Sequence, residues 1–246
     1  MATGRTDDGH GRLGSRLSGL AVAVGCVLFL GGFAWGALLY QPYLVPTDSM
    51  TPAVRVGDRV LAERIDGDEV RRGDIVVFRE AAWGDAPMIK RVVGVGGDTV
   101  ACCGRDGRLT VNGTAVDEPY VRGGGPASPT GFSTTVPEGK LFLLGDERGS
   151  SLDSRTHLQD AAGGAVPRSA VEARVDAVVW PLPGSFPERP EAFADLPGGI
   201  SRSGPLEPLL WAMATGTVLI FGGSAYGLAA AGLGRKRRNE AATGVR

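Results

Sequence analysis

The chain has 246 residues, a formal net charge of −1 and 43% apolar residues, enough for one sizeable core plus extra segments, and not a disordered composition. With charge this close to balance and no Lys/Arg stripe through the middle, no nucleic-acid partner is expected. The two histidines, His10 and His157, and the three cysteines, Cys26, Cys102 and Cys103, form no spaced ligand set, so neither a metal nor a cofactor is expected.

In chain order, residues 1–18 form a tail carrying Arg5, Arg12 and Arg16, read as cytoplasmic. The uncharged stretch that follows contains "GLAVAVGCVLFLGGFAWGALLY" (Gly19–Tyr40), predicted as a transmembrane helix. At about 1.5 Å rise per residue it reaches roughly 33 Å, against a hydrocarbon layer of about 30 Å. A cleaved secretory signal has a shorter apolar run, about 7 to 15 residues, so an anchor is the reading. A second uncharged run, "LLWAMATGTVLIFGGSAYGLAAAGL" (Leu209–Leu233), is predicted as another span, and "RKRR" opens a basic tail over residues 234–246. Positive flanks stay in the cytoplasm. Both termini are therefore expected inside, in a two-span plasma-membrane protein whose middle segment is extracytoplasmic.

That segment, residues 41–182, reads as mainly β with antiparallel sheets. Short β-branched runs recur between Gly, Asp and Asn: "DIVVF" (Asp74–Phe78), "IKRVVGV" (Ile89–Val95), "KLFLLG" (Lys140–Gly145) and "VEARVDAVVWPL" (Val171–Leu182). "RLTVNGTAV" places Asn112-Gly113 between two such runs, the signal of a tight primed turn. Residues 122–134 read as a mobile loop, and residues 183–208 as a linker into the second span. Cys102 and Cys103 are adjacent, so a vicinal disulfide is one option on an oxidising side.

Several chemistries fail on residue type. "GVGGD" (Gly94–Asp98) lacks the Lys-Ser/Thr of a phosphate loop, and "DERGSSLDSR" (Asp146–Arg155) has Arg148 and Ser150 where a calcium loop needs acidic or amide residues. "VPTDSMTP" offers Ser49 as a nucleophile, with a turn serine as the alternative. A serine needs a base, either His157 or a lysine made neutral by burial. Strand alternation puts Lys90 on the face of Met88 and Val92, which is apolar, and leaves Arg91 on the other face, free to pair with a carboxylate.

Four blocks in order now carry a likeness: "VPTDSMTP" followed by "GDRV", "RRGDIVVF", "IKRVVGVGGD" and "VPEGKLFLLGDERGSSLDSR". Over roughly residues 41–182 the chain resembles type I signal peptidase (leader peptidase), the membrane-bound Ser/Lys protease that removes signal peptides from exported proteins. The resemblance implies Ser49 as nucleophile, Lys90 as general base, and Thr47 as an oxyanion-hole hydroxyl beside the Ser49 amide. It implies that Ser151 hydrogen-bonds and orients the lysine, and that Arg91, Asp146, Asp153 and Arg155 supply ion pairs, with the pairing left open. Glu147, Gly149, Ser150 and Gly96 depart from the family's usual residues. The implied substrates are signal peptides cut after small residues, with Ile75, Val77 and Ile89 as candidate pocket walls and membrane phospholipid as a partner. Ser49 lies within about 30 Å of extended chain from Tyr40, which keeps it near the outer membrane surface. Still open at this point are a tethered β-domain that binds exported segments without cutting, a Ser/Lys protease with another substrate, and a Ser49–His157 dyad.

Overall fold

The computed structural model describes residues 9–104, 106–121 and 125–243, with side chains from residue 14 to residue 232. Arg5 lies outside the described residues, and the side chains of His10, Arg12 and the basic run 235–238 lie outside the described side chains. The chain divides into two units, a pair of helices and a β unit spanning Leu39–Gly204.

In the helical unit, α1 (Gly9–Leu39) and α2 (Leu206–Thr243) each contain a stretch long and apolar enough to cross a membrane, Gly14–Leu39 and Leu206–Gly232. Most of these side chains face outward, among them Leu30, Phe33, Trp35 and Phe221. The helices meet through small residues, since a Cβ on Gly25 would lie 2.7 Å from the Gly216 carbonyl oxygen, and one on Gly216 the same distance from that of Gly25. Ser18 Oγ donates to the Gly223 carbonyl at 2.7 Å. Close backbone approach and a bond of this kind hold helices together where burial gives no driving force.

The β unit is antiparallel throughout. In chain order its strands are β1 (Tyr40–Leu44), β2 (Arg59–Glu63), β3 (Ile75–Phe78), β4 (Met88–Val95), β5 (Thr99–Cys102), β6 (Thr110–Val111), β7 (Thr114–Ala115), β8 (Phe132–Thr135), β9 (Lys140–Leu144), β10 (Val166–Pro167) and β11 (Val171–Trp180). They form a seven-stranded sheet, ordered β1-β2-β11-β3-β4-β9-β10, and a four-stranded sheet, β7-β6-β5-β8. The mainly β reading flanked by two apolar helices is thus what the chain adopts. Between β6 and β7, Asn112 and Gly113 take φ of 54° and 80°, the left-handed geometry a primed turn demands.

Val93, Phe142 and Leu144 of the large sheet pack against Val100 and Val111 of the small one and against Leu109 just before β6. The stretch after β11 differs from the sequence reading. The segment read as a linker is folded onto the β unit as far as Gly204, because Phe193 and Leu196 fill the core between the sheets and Arg72 donates to the Pro197 carbonyl at 2.6 Å. Of the loop over residues 122–134, residues 122–124 lie outside the described residues, and its last three residues belong to β8, which pairs with β5 and stacks Phe132 on Phe142 at 5.7 Å. Cys102 and Cys103 are joined as a disulfide at the end of β5.

Candidate active site

Ser49 sits in a tight turn after β1, where the Thr51 N–H bonds the Asp48 carbonyl at 2.8 Å and Met50 is buried as an anchor. Its side chain remains partly accessible, at the mouth of a pocket of about 70 Å³ walled by Val45, Pro46, Met88 and Ile89. Ile75 and Val77, suggested as walls, instead share the buried cluster behind Ile89.

Lys90 reaches Ser49 from the middle of β4. β4 runs between β3 and β9, so the lysine stem is covered on both sides and the residue is only 5% exposed. Its Nζ donates to Ser49 Oγ at 2.7 Å, although 41 positions separate the two residues. Burial pushes the Lys90 amine below its ordinary value, Asp153 and Asp146 pull it back up, and Arg155 adds to the lowering. Thr47 Oγ1 lies 3.3 Å from Ser49 Oγ on the exposed side. His157 is engaged elsewhere, 2.8 Å from Asp160 and stacked on the Trp83 ring at 4.4 Å.

The four charged residues resolve into two pairs. Arg91 binds Asp146 bidentately at 2.8 and 2.7 Å, with both side chains essentially buried, and also donates to the Gly73 carbonyl at 2.9 Å. Burial works against the Arg91 charge, but contact with Asp146 outweighs it and holds the guanidinium above its usual range. Arg155 binds Asp153 at 2.9 and 2.7 Å, and Asp153 in turn accepts the Gly145 N–H at 3.0 Å.

Ser151 departs from its expected part. It is 6% exposed, yet its Oγ has no hydrogen-bond partner and makes no bond with Lys90. It packs instead against Gly145, where a Cβ would overlap Ser151 Oγ and stand 2.5 Å from the Ser49 carbonyl oxygen. Only glycine fits there, so the turn after β9 lies directly against the nucleophile's backbone, and the Glu147 N–H bonds that same carbonyl at 3.1 Å.

Sequence reasoning passed over Glu118, Tyr120 and Arg148. Glu118 binds Arg148 at 2.7 and 2.6 Å, and Tyr120 donates to Glu118 at 2.6 Å while its ring lies 3.9 Å from the Arg91 guanidinium carbon. Burial and the adjacent Glu118 keep the Tyr120 phenol protonated well above its usual range. No local pattern marks a pair separated by 30 positions.

The family described as "Signal peptidase, peptidase S26" matches residues 17–180, more than half of the chain. Among curated proteins, a probable signal peptidase I of Mycobacterium leprae is 32% identical, over 57% of this chain and 68% of its own length. Signal peptidase I of Mycobacterium tuberculosis is 31% identical over 57% and 65%, and that of Bacillus licheniformis 37% identical over 50% and 69%. The chain thus spans about two thirds of the length of these relatives. A solved signal peptidase I from Enterococcus faecalis V583 is 31% identical, covering 42% of this chain and 94% of that one, with a TM-score of 0.35.

Proposed function

Since this chain belongs to the signal peptidase family, peptidase S26, we propose that it is a membrane-bound serine endopeptidase that removes N-terminal signal peptides from exported preproteins, cutting after small residues with a Ser49/Lys90 dyad. The observation that carries the reading is the 2.7 Å contact between Lys90 Nζ and Ser49 Oγ, made by a lysine buried in a sheet. Neutral Lys90 accepts the Ser49 proton while Oγ attacks the carbonyl carbon of the scissile bond. The Thr47 hydroxyl and the Ser49 N–H stabilise the oxyanion. Lys90, now an ammonium, protonates the departing amine and is neutral again; it later takes a proton from the water that attacks the acyl-enzyme and returns it to Ser49 Oγ as the acyl bond breaks.

The pocket wall of Val45, Met88 and Ile89 suits a short apolar side chain before the cut, and its small size disfavours large ones. Exposed apolar residues support contact with phospholipid. Leu44 and Trp180 both lie opposite Arg59 in the sheet, at 65% and 54% exposure, and Leu182 and Phe186 follow close behind in sequence. In this reading both termini are cytoplasmic, and the β unit lies on the outer face of the plasma membrane, where cleavage sites emerge.

The test is cleavage of a preprotein carrying Ala before the cut, in detergent with phospholipid. Wild type is expected to release the signal peptide at that bond and Ser49→Ala to leave the preprotein whole. Cleavage by both proteins would remove Ser49 from the mechanism.

A further inference from the structure

We infer that Glu118 is a positioning residue for the nucleophile, acting through Arg148 on the turn that begins at Gly145. The inference rests on the Ser49/Lys90 reading above. Both backbone polar groups of Gly145 are held by charged side chains: its N–H by Asp153 at 3.0 Å and its carbonyl by Arg148 Nε at 3.0 Å. Gly145 packs against the Ser49 carbonyl, which the Glu147 N–H bonds two residues further on. Arg148 is aimed at Gly145 by Glu118, whose two oxygens take Nη1 and Nη2 in a fork that fixes the guanidinium plane.

A second arm leaves Glu118 through Tyr120, whose ring lies against Arg91, the residue next to the base. Arg148 also uses its own carbonyl, which accepts from Arg155 Nη1 at 2.9 Å and so reaches the Asp153 pair. Glu118 is thus linked to both ion pairs flanking the dyad through one intervening residue each, Tyr120 toward Arg91 and Arg148 toward Arg155. A buried ion pair adds little net stability over an apolar replacement. Its effect here is geometric, and a displacement of about 1 Å at reacting atoms costs about 100-fold in rate.

The test uses the full chain in detergent with phospholipid and an N-acyl-alanine p-nitrophenyl ester. Ser49 Oγ displaces p-nitrophenolate, giving acyl-Ser49, and the hydroxyl proton passes to Lys90. The burst rate gives acylation per competent enzyme, the burst amplitude counts competent molecules, and the mass of the Ser49 peptide confirms the adduct. Glu118→Gln is expected to slow acylation about 30-fold with ester affinity changed less than about twofold. Glu118→Asp, which keeps the charge, is expected to recover most of the rate. Because Glu118 acts mainly through Arg148, with only the Tyr120 arm independent of it, Glu118→Gln is expected to add little to Arg148→Gln. Wild-type burst rates in Glu118→Gln, a loss confined to burst amplitude, or fully additive effects would each overturn the inference. A wild type that never acylates Ser49 would overturn the nucleophile reading and this inference with it, an outcome distinct from the others because in those the wild type acylates.

Discussion

Lys90→Met is expected to lower kcat/KM by about 10³–10⁴-fold, the range a positioned general base supplies. Methionine retains an unbranched side chain of similar reach, so the space between Ser49 and β4 stays filled and water is not invited in. What is lost is the only amine within hydrogen-bond distance of Ser49 Oγ among the described residues. Folding should not suffer, since a buried nitrogen with a desolvation cost is replaced by an apolar atom, and the thermal midpoint is expected to hold or rise. Cleavage assays on the folded variant check both halves. A large loss of activity with a preserved midpoint separates a role in proton transfer from a role in packing, which would move the two together.

Asp146→Ala is expected to act mainly on stability. Arg91 is 1% exposed and Asp146 fully buried, so removing the carboxylate strands a guanidinium in the interior. Breaking a buried pair from one side costs about 3–5 kcal/mol. For a unit of this size that corresponds to a drop of roughly 10 °C or more in the thermal midpoint. Arg91 keeps its contact with the Gly73 carbonyl and the Tyr120 ring, but neither carries a negative charge. The double variant Arg91→Leu/Asp146→Leu is expected to lose less than Asp146→Ala alone, because no unpaired charge remains. Thermal unfolding of the three proteins decides it, and equal losses would show that the pair matters only as packing volume.

The parts of this molecule legible in the sequence are those governed by short-range rules. Alternation along "MIKRVV" separated Lys90 from Arg91, Asn-Gly marked the β6–β7 turn, and uncharged runs marked α1 and α2. Ser49 was singled out by its block, while the choice of Lys90 over His157 rested on the family resemblance until the geometry tied His157 to Asp160 and Trp83. The sequence left the ion-pair partners open, because Arg91 and Asp146 meet only through the β4–β9 pairing. Glu118 and Arg148 likewise meet only in the folded chain, 30 positions apart. The Pro- and Gly-rich stretch after β11 had the composition of a linker, and its two core residues, Phe193 and Leu196, are too few to show a period. Ser151 shows the limit of transfer by resemblance: its position matches, yet its hydroxyl packs on Gly145 and makes no bond to the lysine.

In the proposed mechanism Lys90 is neutral when it takes the Ser49 proton. Burial disfavours the ammonium, so the neutral fraction grows as pH rises through a midpoint lying below the ordinary 10.5. Activity is therefore expected to rise with pH through that midpoint and to be lost below it. The chain has only three lysines, Lys90, Lys140 and Lys236, so ¹³Cε-lysine labelling yields few signals, and Lys90→Met identifies the one that matters. Titrating that signal in the folded protein is the most direct measurement. The Lys90 midpoint is expected below the ordinary lysine value and to coincide with the acid limb of kcat/KM for preprotein cleavage. A midpoint at the ordinary value, or an acid limb that does not follow it, would contradict a neutral lysine as the base.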